Sequence, residues 1–307
     1  MTIRFDNKVA IVTGAGKGLG RSHALALAAR GAKVVVNDLG GAVDGTGSTL
    51  SAAETVVAEI KATGGEAIAN GANVTQVDQV NAMVEEAKSR WGRVDVLVNN
   101  AGILRDKSFS KMTLDDFRLV LDVHLMGAAT CTKAVRDLMK EQQYGRIVMT
   151  SSSSGIYGNF GQANYGAAKM GLVGLMNVLH IEGAKYGIKV NALAPAAATR
   201  MTENLGVDET TASLMTVESV SAGLLYLVSE DAPSRLILCA GAGGYAATRI
   251  YETDGIYLPT ERQTPENIAL HMDEIIDSKG QMMSEQAADQ SVKFLGKATK
   301  SLVAKSD

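Results

Sequence analysis

Lys8-Val9-Ala10-Ile11-Val12-Thr13-Gly14-Ala15-Gly16-Lys17-Gly18-Leu19-Gly20 decides how the chain is read. Lys8 to Val12 is a short apolar run of the kind carried by a buried strand. The glycines follow at once. An amphipathic helical pattern then runs to about Arg30 and stops at Gly31. Strand, glycine turn and helix in this order form the setting of a dinucleotide site. Glycines let the backbone approach a pyrophosphate, and the helix start offers N–H groups and a positive dipole end. Gly14, Gly18 and Gly20 give the spacing G-x-x-x-G-x-G. Leu19 stands where G-x-G-x-x-G would need its third glycine, and no G-K-[ST] of a P-loop is present here.

Working outward, Lys33 to Asn37 reads as a second strand and ends in Asp38. An acid there would bind both ribose hydroxyls of NAD and repel the extra phosphate of NADP. Lys17 argues the other way, but Asp38 would lie against the ribose and weighs more; its alternative role is a helix cap or turn. Residues 39–48 are glycine-rich and form a loop longer than the usual connection of about 4–6 residues. A helix over 50–63 and a strand from Glu66 to Asn70 follow. Asn73 and Val74 then flank an adenine or make an ordinary turn. A helix over 76–91 leads to a strand from Val94 to Val98, ending in Asn99-Asn100-Ala101-Gly102. Asn100, Ala101 and Gly102 suit a close backbone contact with the cofactor; the other reading is that they only tie strands together.

A long helix is expected over 114–141, a fifth strand from Arg146 to Thr150, and a sixth from Lys189 to Leu193. A helix over 217–229 and a seventh strand from Arg235 to Cys239 complete the pattern. Strands alternating with helices predict an α/β fold, a doubly wound parallel seven-stranded sheet of Rossmann-like form. After Gly241-Ala242-Gly243-Gly244 the texture changes, with helical patterns over 265–277 and 281–296 and a lysine-rich end that reads as frayed. The chain therefore divides into a nucleotide-binding domain with the reacting residues, 1–248, and a helical C-terminal extension, 249–307.

The stretch TSSSSGIYGNFGQANYGAAK, Thr150 to Lys169, holds Tyr165 and Lys169 four residues apart. On a helix they share a face. A nearby ammonium favours the ionised phenol, so the lysine is expected to lower the Tyr165 pKa toward the range useful for general acid–base work. Ser152, on the loop after a strand, would hold a carbonyl or alcohol oxygen against the same phenol. The spacing alone recurs in ordinary helices, and a serine run is ordinarily a turn. The glycine turn upstream is the independent signal.

Composition sets the remaining bounds. The 307 residues are 46% hydrophobic and 21% charged, with formal charge −3 and signs interspersed. No basic stripe points to nucleic acid. No apolar run reaches the roughly 18–20 residues of a membrane span. Cys131 and Cys239 lie far apart, outside any C-x-x-C, and His23, His124, His180 and His271 show no H-E-x-x-H spacing. A disulfide framework or metal site is not expected. A reducing compartment, the cytoplasm, is expected, since the start has no signal-peptide pattern and the end is not S-K-L.

Thr13-Gly14-x-x-x-Gly18-x-Gly20, Asn99-Asn100-Ala101-Gly102 and Ser152 with Tyr165-x-x-x-Lys169 resemble the short-chain dehydrogenase/reductase superfamily over about residues 6–245. The stretches RFDNKVAIVTGAGKGLGR, VVVNDLGG and VNNAGILRDKSF are similar to the (3R)-hydroxyacyl-CoA dehydrogenase part of peroxisomal multifunctional enzymes. The resemblance implies NAD-dependent oxidation of a secondary alcohol, a (3R)-3-hydroxyacyl-CoA, with a 17β-hydroxysteroid or a 3-oxoacyl thioester as alternative substrates. It implies roles for Ser152 on the reacting oxygen, Tyr165 as acid–base group and Lys169 on the nicotinamide ribose. It also implies a homodimer or homotetramer packed through 114–141 and the Tyr165 helix. With no hydratase or sterol-carrier domain after the sheet, it implies a free-standing dehydrogenase. His124 stands where many members have asparagine; it is either a proton relay or a buried, hydrogen-bonded histidine. Pro195-Ala196 replaces the usual P-G, while Thr199 would bind the pyrophosphate or carboxamide. Arg105, Lys107 and Lys111 would meet CoA phosphates or be merely solvated, and Leu205, Leu214 and Met215 would cover an acyl chain. The rival from another class is an NAD-sensing binding module without turnover.

Overall fold

The computed structural model describes residues 2–197 and 209–303. The elements run β1 (Val9–Thr13), α1 (Gly18–Ala28), β2 (Lys33–Asn37), α2 (Ser51–Ala62), β3 (Glu66–Asn70), α3 (Val77–Trp91) and β4 (Val96–Asn99). There follow α4 (Leu114–Leu121), α5 (Gly127–Glu141), β5 (Gly145–Thr150), α6 (Ser153–Tyr157), α7 (Ala163–Gly183) and β6 (Ile188–Ala196). The first unit ends with α8 (Glu209–Leu214), α9 (Val217–Leu227), β7 (Ile237–Gly241) and β8 (Gly244–Thr248).

The strand order is β3-β2-β1-β4-β5-β6-β7-β8, with β1 to β7 parallel. Alternation along each strand sorts the core into two layers. Ala10, Val12, Val34, Val36, Val96 and Val98 pack with Leu27, Ile60 and Leu224 from α1, α2 and α9. Val9, Ile11, Val35, Leu97, Ile147 and Met149 pack with Met83, Val135 and Leu172 from α3, α5 and α7. Both faces are thus covered, which is why the strands read as unbroken apolar runs. The chain leaves β1 toward β2 on one side and reaches β4 on the other. Such a reversal opens a crevice at the carboxyl ends of the two strands.

The structure differs from the expected sheet in one strand. β8 pairs with β7 antiparallel, making eight strands. Gly241 opposes Gly244, and the two turn residues, Ala242 and Gly243, both have positive φ. That is the backbone of a tight two-residue hairpin. β8 is mostly exposed, so it carries no alternating apolar signal. The hydroxyl of its Thr248 lies 2.9 Å from that of Tyr157, tying the sheet edge to α6.

The helix expected over 114–141 also differs. A π-helical turn, Asp122–Met126, interrupts it between α4 and α5. Wider turns of this kind frequently occur at functional sites, and this one carries the buried His124.

Residues from Arg249 onward form a second compact unit. It contains α10 (Pro265–Leu270), α11 (Met272–Ile276) and α12 (Ala287–Val303). The Thr264 side chain caps α10 and Pro265 starts it. α12 begins later than its sequence pattern implied and, among the described residues, continues to Val303. Lys293 pairs with Glu252, and Lys297 with Asp254 at 2.7 Å, which holds α12 against the segment that opens the unit.

Candidate active site

The glycine turn sits at the carboxyl end of β1, against the end of β4. Asn100 donates from its side chain to the carbonyls of Thr13 at 2.9 Å and Gly14 at 3.1 Å. The Thr13 hydroxyl in turn accepts the amides of Asn100 and Ala101, each at 3.0 Å. Asn100 therefore stitches the two strand ends. A side chain on Gly20 would meet the Gly14 carbonyl at 2.1 Å, so this crossing requires glycine. The Asp38 carboxylate lies beside the turn and accepts from the amides of Gly16 at 2.7 Å and Gly40 at 2.6 Å. Lys17 is exposed at the start of α1.

A cavity of about 460 Å³ opens here. Gly14, Lys17, Gly18, Leu19, Gly20, Asp38, Asn73, Val74, Asn100, Ala101 and Gly102 all border it, so the nucleotide-side expectations converge on one space. The Asn73 side chain accepts from the Thr75 amide at 3.0 Å and closes a local turn. Thr199, Leu205 and Arg200 lie outside the described residues. The residues fit a dinucleotide: a cradle of small residues at a helix start, with a carboxylate at the next strand end.

Ser152 caps α6, its hydroxyl accepting from the Ser154 amide at 3.2 Å. Tyr165 and Lys169 lie one turn apart on α7, with the lysine Nζ 5.3 Å from the tyrosine ring centroid. Lys169 is buried and donates to the Thr150 carbonyl at 2.6 Å. Ser151 Oγ donates to the Lys169 carbonyl at 3.0 Å, so the last residue of β5 and the one after it both hold this helix turn. The His124 ring meets that of Tyr165 edge-on, with centroids 5.2 Å apart. A Cβ on Gly102 would strike the His124 ring at 2.2 Å, so the imidazole packs directly on the end of the Asn-Asn-Ala-Gly segment.

The electrostatics correct one expectation. Burial raises the Tyr165 pKa, a hydrogen bond with Ser152 lowers it, and the charge of Asp106 raises it further. Lys169 is not the acidifying neighbour that the spacing implied. Burial brings its own pKa down to about 7, so its charge is itself disfavoured, and its donor is turned to Thr150. Burial, and then the Lys169 charge, bring His124 down to about 3, so the imidazole is neutral at ordinary pH.

His124 Nε2 lies 2.8 Å from the Ile103 carbonyl and 3.0 Å from its amide. Nδ1 has no hydrogen-bond partner among the described residues, nor has Asn99 Oδ1. His124, Asn99 and Lys169 border a second cavity of about 10 Å³, the size of one water. The two cavities share Val74, Ala101 and Val123.

Two charges expected to be open to solvent or a polyanion are engaged. Arg105 pairs with Asp116 at 3.2 Å and Lys107 with the same carboxylate at 3.4 Å, while Lys111 is exposed. Leu214 is exposed and Met215 half-buried. Sequence reasoning gave no site role to Thr13 or Asp106 and read the stretch from Leu39 to Gly45 only as part of a long glycine-rich loop. Thr13 had a signal, a hydroxyl at the strand end before the first glycine; Asp106 had none.

Residues 8–210 match the protein family described as short chain dehydrogenase. Peroxisomal multifunctional enzyme type 2 of Mus musculus is 47% identical over 290 residues, covering 92% of this chain and 39% of its own length. The chain thus spans well under half of that relative. The solved structure of the full-length Drosophila melanogaster peroxisomal multifunctional enzyme type 2 is similar at a TM-score of 0.80 and 36% identity, over 96% of this chain and 50% of that one. A 7α-hydroxysteroid dehydrogenase solved with NADH and 7-oxo glycochenodeoxycholic acid matches at 0.71 and 29% identity, over 78% of this chain and 95% of that one.

Proposed function

The chain belongs to the short-chain dehydrogenase family, and from that premise we propose that it oxidises a (3R)-3-hydroxyacyl-CoA to the 3-ketoacyl-CoA with NAD. The observation that carries the reading is the meeting of two spaces. The cavity at the glycine turn and the small cavity beside Lys169 share a wall, so a nucleotide in the first would end near Lys169 and His124, whose ring meets that of Tyr165. The turn, Asp38 and the Asn73–Val74 corner would hold the dinucleotide. Asp38 keeps acceptor capacity after its two backbone bonds, since a carboxylate offers about four lone-pair sites. That capacity suits ribose hydroxyls and opposes a phosphate.

When bound, the nicotinamide supplies the hydride acceptor. Ser152 Oγ donates to the reacting oxygen. Tyr165, in its phenolate form, would take the alcohol proton at its phenolic oxygen and return it in the reverse direction. Lys169 lies one turn behind, buried and anchored to Thr150, where it would meet the nicotinamide ribose. His124, neutral and with one nitrogen unpartnered, is a relay candidate, because an imidazole can take a proton at one nitrogen and release it at the other.

The mouse and fly proteins are the reason to try acyl-CoA substrates first. A steroid is the second reading, supported by the likeness to the 7α-hydroxysteroid enzyme. The two are separated by following NAD and NADP reduction with (R)- and (S)-3-hydroxyacyl-CoAs and free hydroxysteroids. Activity on steroids alone would overturn the acyl-CoA reading. NADH absent from every reaction despite tight NAD binding would favour a sensing module.

Exposed Met126, Met170, Val178 and Ile181 on the π-turn and α7 support pairing of two copies through these helices; a monomer by light scattering at micromolar concentration would count against it. Among the described residues no helix is long and apolar enough to cross a membrane. Both cysteines are free, and a reducing compartment fits them. The cytoplasm is our reading, with the peroxisome as its competitor from the names of the mouse and fly proteins.

A further inference from the structure

We propose that Arg105 is a positioning residue that latches the loop after β2 over the nucleotide cavity, so that release of this latch governs cofactor exchange. The inference rests on the reading of that cavity as a dinucleotide site. The loop closes on itself at its neck, where the Thr49 amide donates to the Leu39 carbonyl at 2.9 Å. Its tip is rigid. The Ala42 amide donates to the Thr46 carbonyl at 2.7 Å, and the Asp44 carboxylate accepts the Thr46 amide at 3.0 Å and its hydroxyl at 2.7 Å. A compact loop of this length with joined ends is a common carrier of function.

Leu39, Ala42, Val43 and Gly45 line the cavity, and so does Ile103, whose side chain would lie 3.3 Å from a Cβ on Gly45. Two bonds cross between them. The Leu104 amide donates to the Val43 carbonyl at 2.9 Å, and Arg105 Nε donates to the Asp44 carbonyl at 2.7 Å. Most of residues 39–51 are exposed, so little apolar burial holds the loop down. A segment held by a few hydrogen bonds opens more readily than one held by a core.

Arg105 is built for two tasks at once. Its Nε serves the loop, while its Nη1 pairs with Asp116 on α4 at 3.2 Å. Its own carbonyl accepts the side-chain amide of buried Asn164, the neighbour of Tyr165, at 3.1 Å. The same residue therefore joins the nucleotide loop to the start of the helix that carries the reacting phenol. A lysine has one compact ammonium in place of the planar fork, so it can keep Asp116 or the loop but not both.

The test compares Arg105→Lys and Arg105→Ala with the unaltered protein. The readouts are NADH release by stopped-flow fluorescence, thermal melting, KM for NAD against KM for the alcohol, and deuterium exchange at the Ala42 and Gly45 amides with and without NADH. Arg105→Lys should melt as the parent does, release NADH about tenfold faster and raise KM for NAD alone. NADH should protect the two loop amides in the parent and protect them less in the variant. Parental release and protection in Arg105→Lys would overturn the latch while leaving the site's reading intact. A parent protein that binds neither NADH nor NADPH would overturn both. If Arg105→Ala does not fold, the lysine variant still decides.

Discussion

The hydroxyl of Thr13 accepts the backbone amide of Asn100 at 3.0 Å, while the side chain of Asn100 donates back to the Thr13 carbonyl at 2.9 Å. This reciprocal pair locks the ends of β1 and β4 together, and those ends frame the glycine turn. Asn100→Ala removes the side chain's two bonds to the turn and leaves its acceptors to find others. At about 0.5–1.5 kcal/mol per bond, a loss of about 1–3 kcal/mol in stability follows. Denaturant titration should register it, with weaker NADH binding by fluorescence, because the turn's shape depends on the stitch.

Tyr165→Phe keeps the ring against His124 and removes the hydroxyl. Turnover should fall by about 10²–10⁴-fold, the usual worth of a positioned acid–base group. NADH affinity should barely move. Retained turnover in initial-rate assays would remove Tyr165 from its role.

Ser152 and Asp106 act on that phenol in opposite senses. The Ser152 hydrogen bond lowers the Tyr165 pKa and the Asp106 charge raises it. The alkaline rise of the oxidation rate reports the phenol losing its proton. Asp106→Asn should move that rise to lower pH. Ser152→Ala should move it to higher pH and slow the reaction at every pH. Shifts in the same direction in the two profiles would contradict this arrangement.

Lys169 and His124 make stability depend on pH. Both have folded pKa values below their unfolded ones, about 7 for Lys169 and about 3 for His124. Between the two values the unfolded chain binds the extra proton, so stability rises with pH across that window. For Lys169 the window runs from about 7 toward its ordinary value of 10.5, and for His124 from about 3 toward 6.5. Lys169→Met should flatten the alkaline part of the rise, and His124→Asn the acid part. Urea midpoints across pH 4–10 would test each variant against the parent.

Asp38→Ser should erode the preference for NAD over NADP, because the carboxylate that opposes a 2′-phosphate is gone while a hydroxyl remains for the turn. Ratios of kcat/KM for the two cofactors measure it. An unchanged ratio would place the discrimination elsewhere, with exposed Lys17 the next position to vary.

Much of this was legible before any coordinates. Val9 to Val12 read as a buried strand because both its faces are covered, and Tyr165 with Lys169 fell on one helix face because the helical period puts i and i+4 together. Asp38 could be assigned to the end of β2 for the same local reason. β8 escaped because an exposed edge strand needs no apolar alternation, and the π-turn escaped because one wider turn leaves the surrounding helical pattern intact. Local order along the chain determined the seven parallel strands, the glycine turn and the placement of Tyr165 and Lys169 on one helix face. Only the tertiary structure decided the direction in which the pKa values of Tyr165, Lys169 and His124 move, the capture of Arg105 and Lys107 by Asp116, and the loop drawn across to Arg105. Desolvation and ion pairing depend on what packs around a group, and those neighbours come from stretches far apart in the chain.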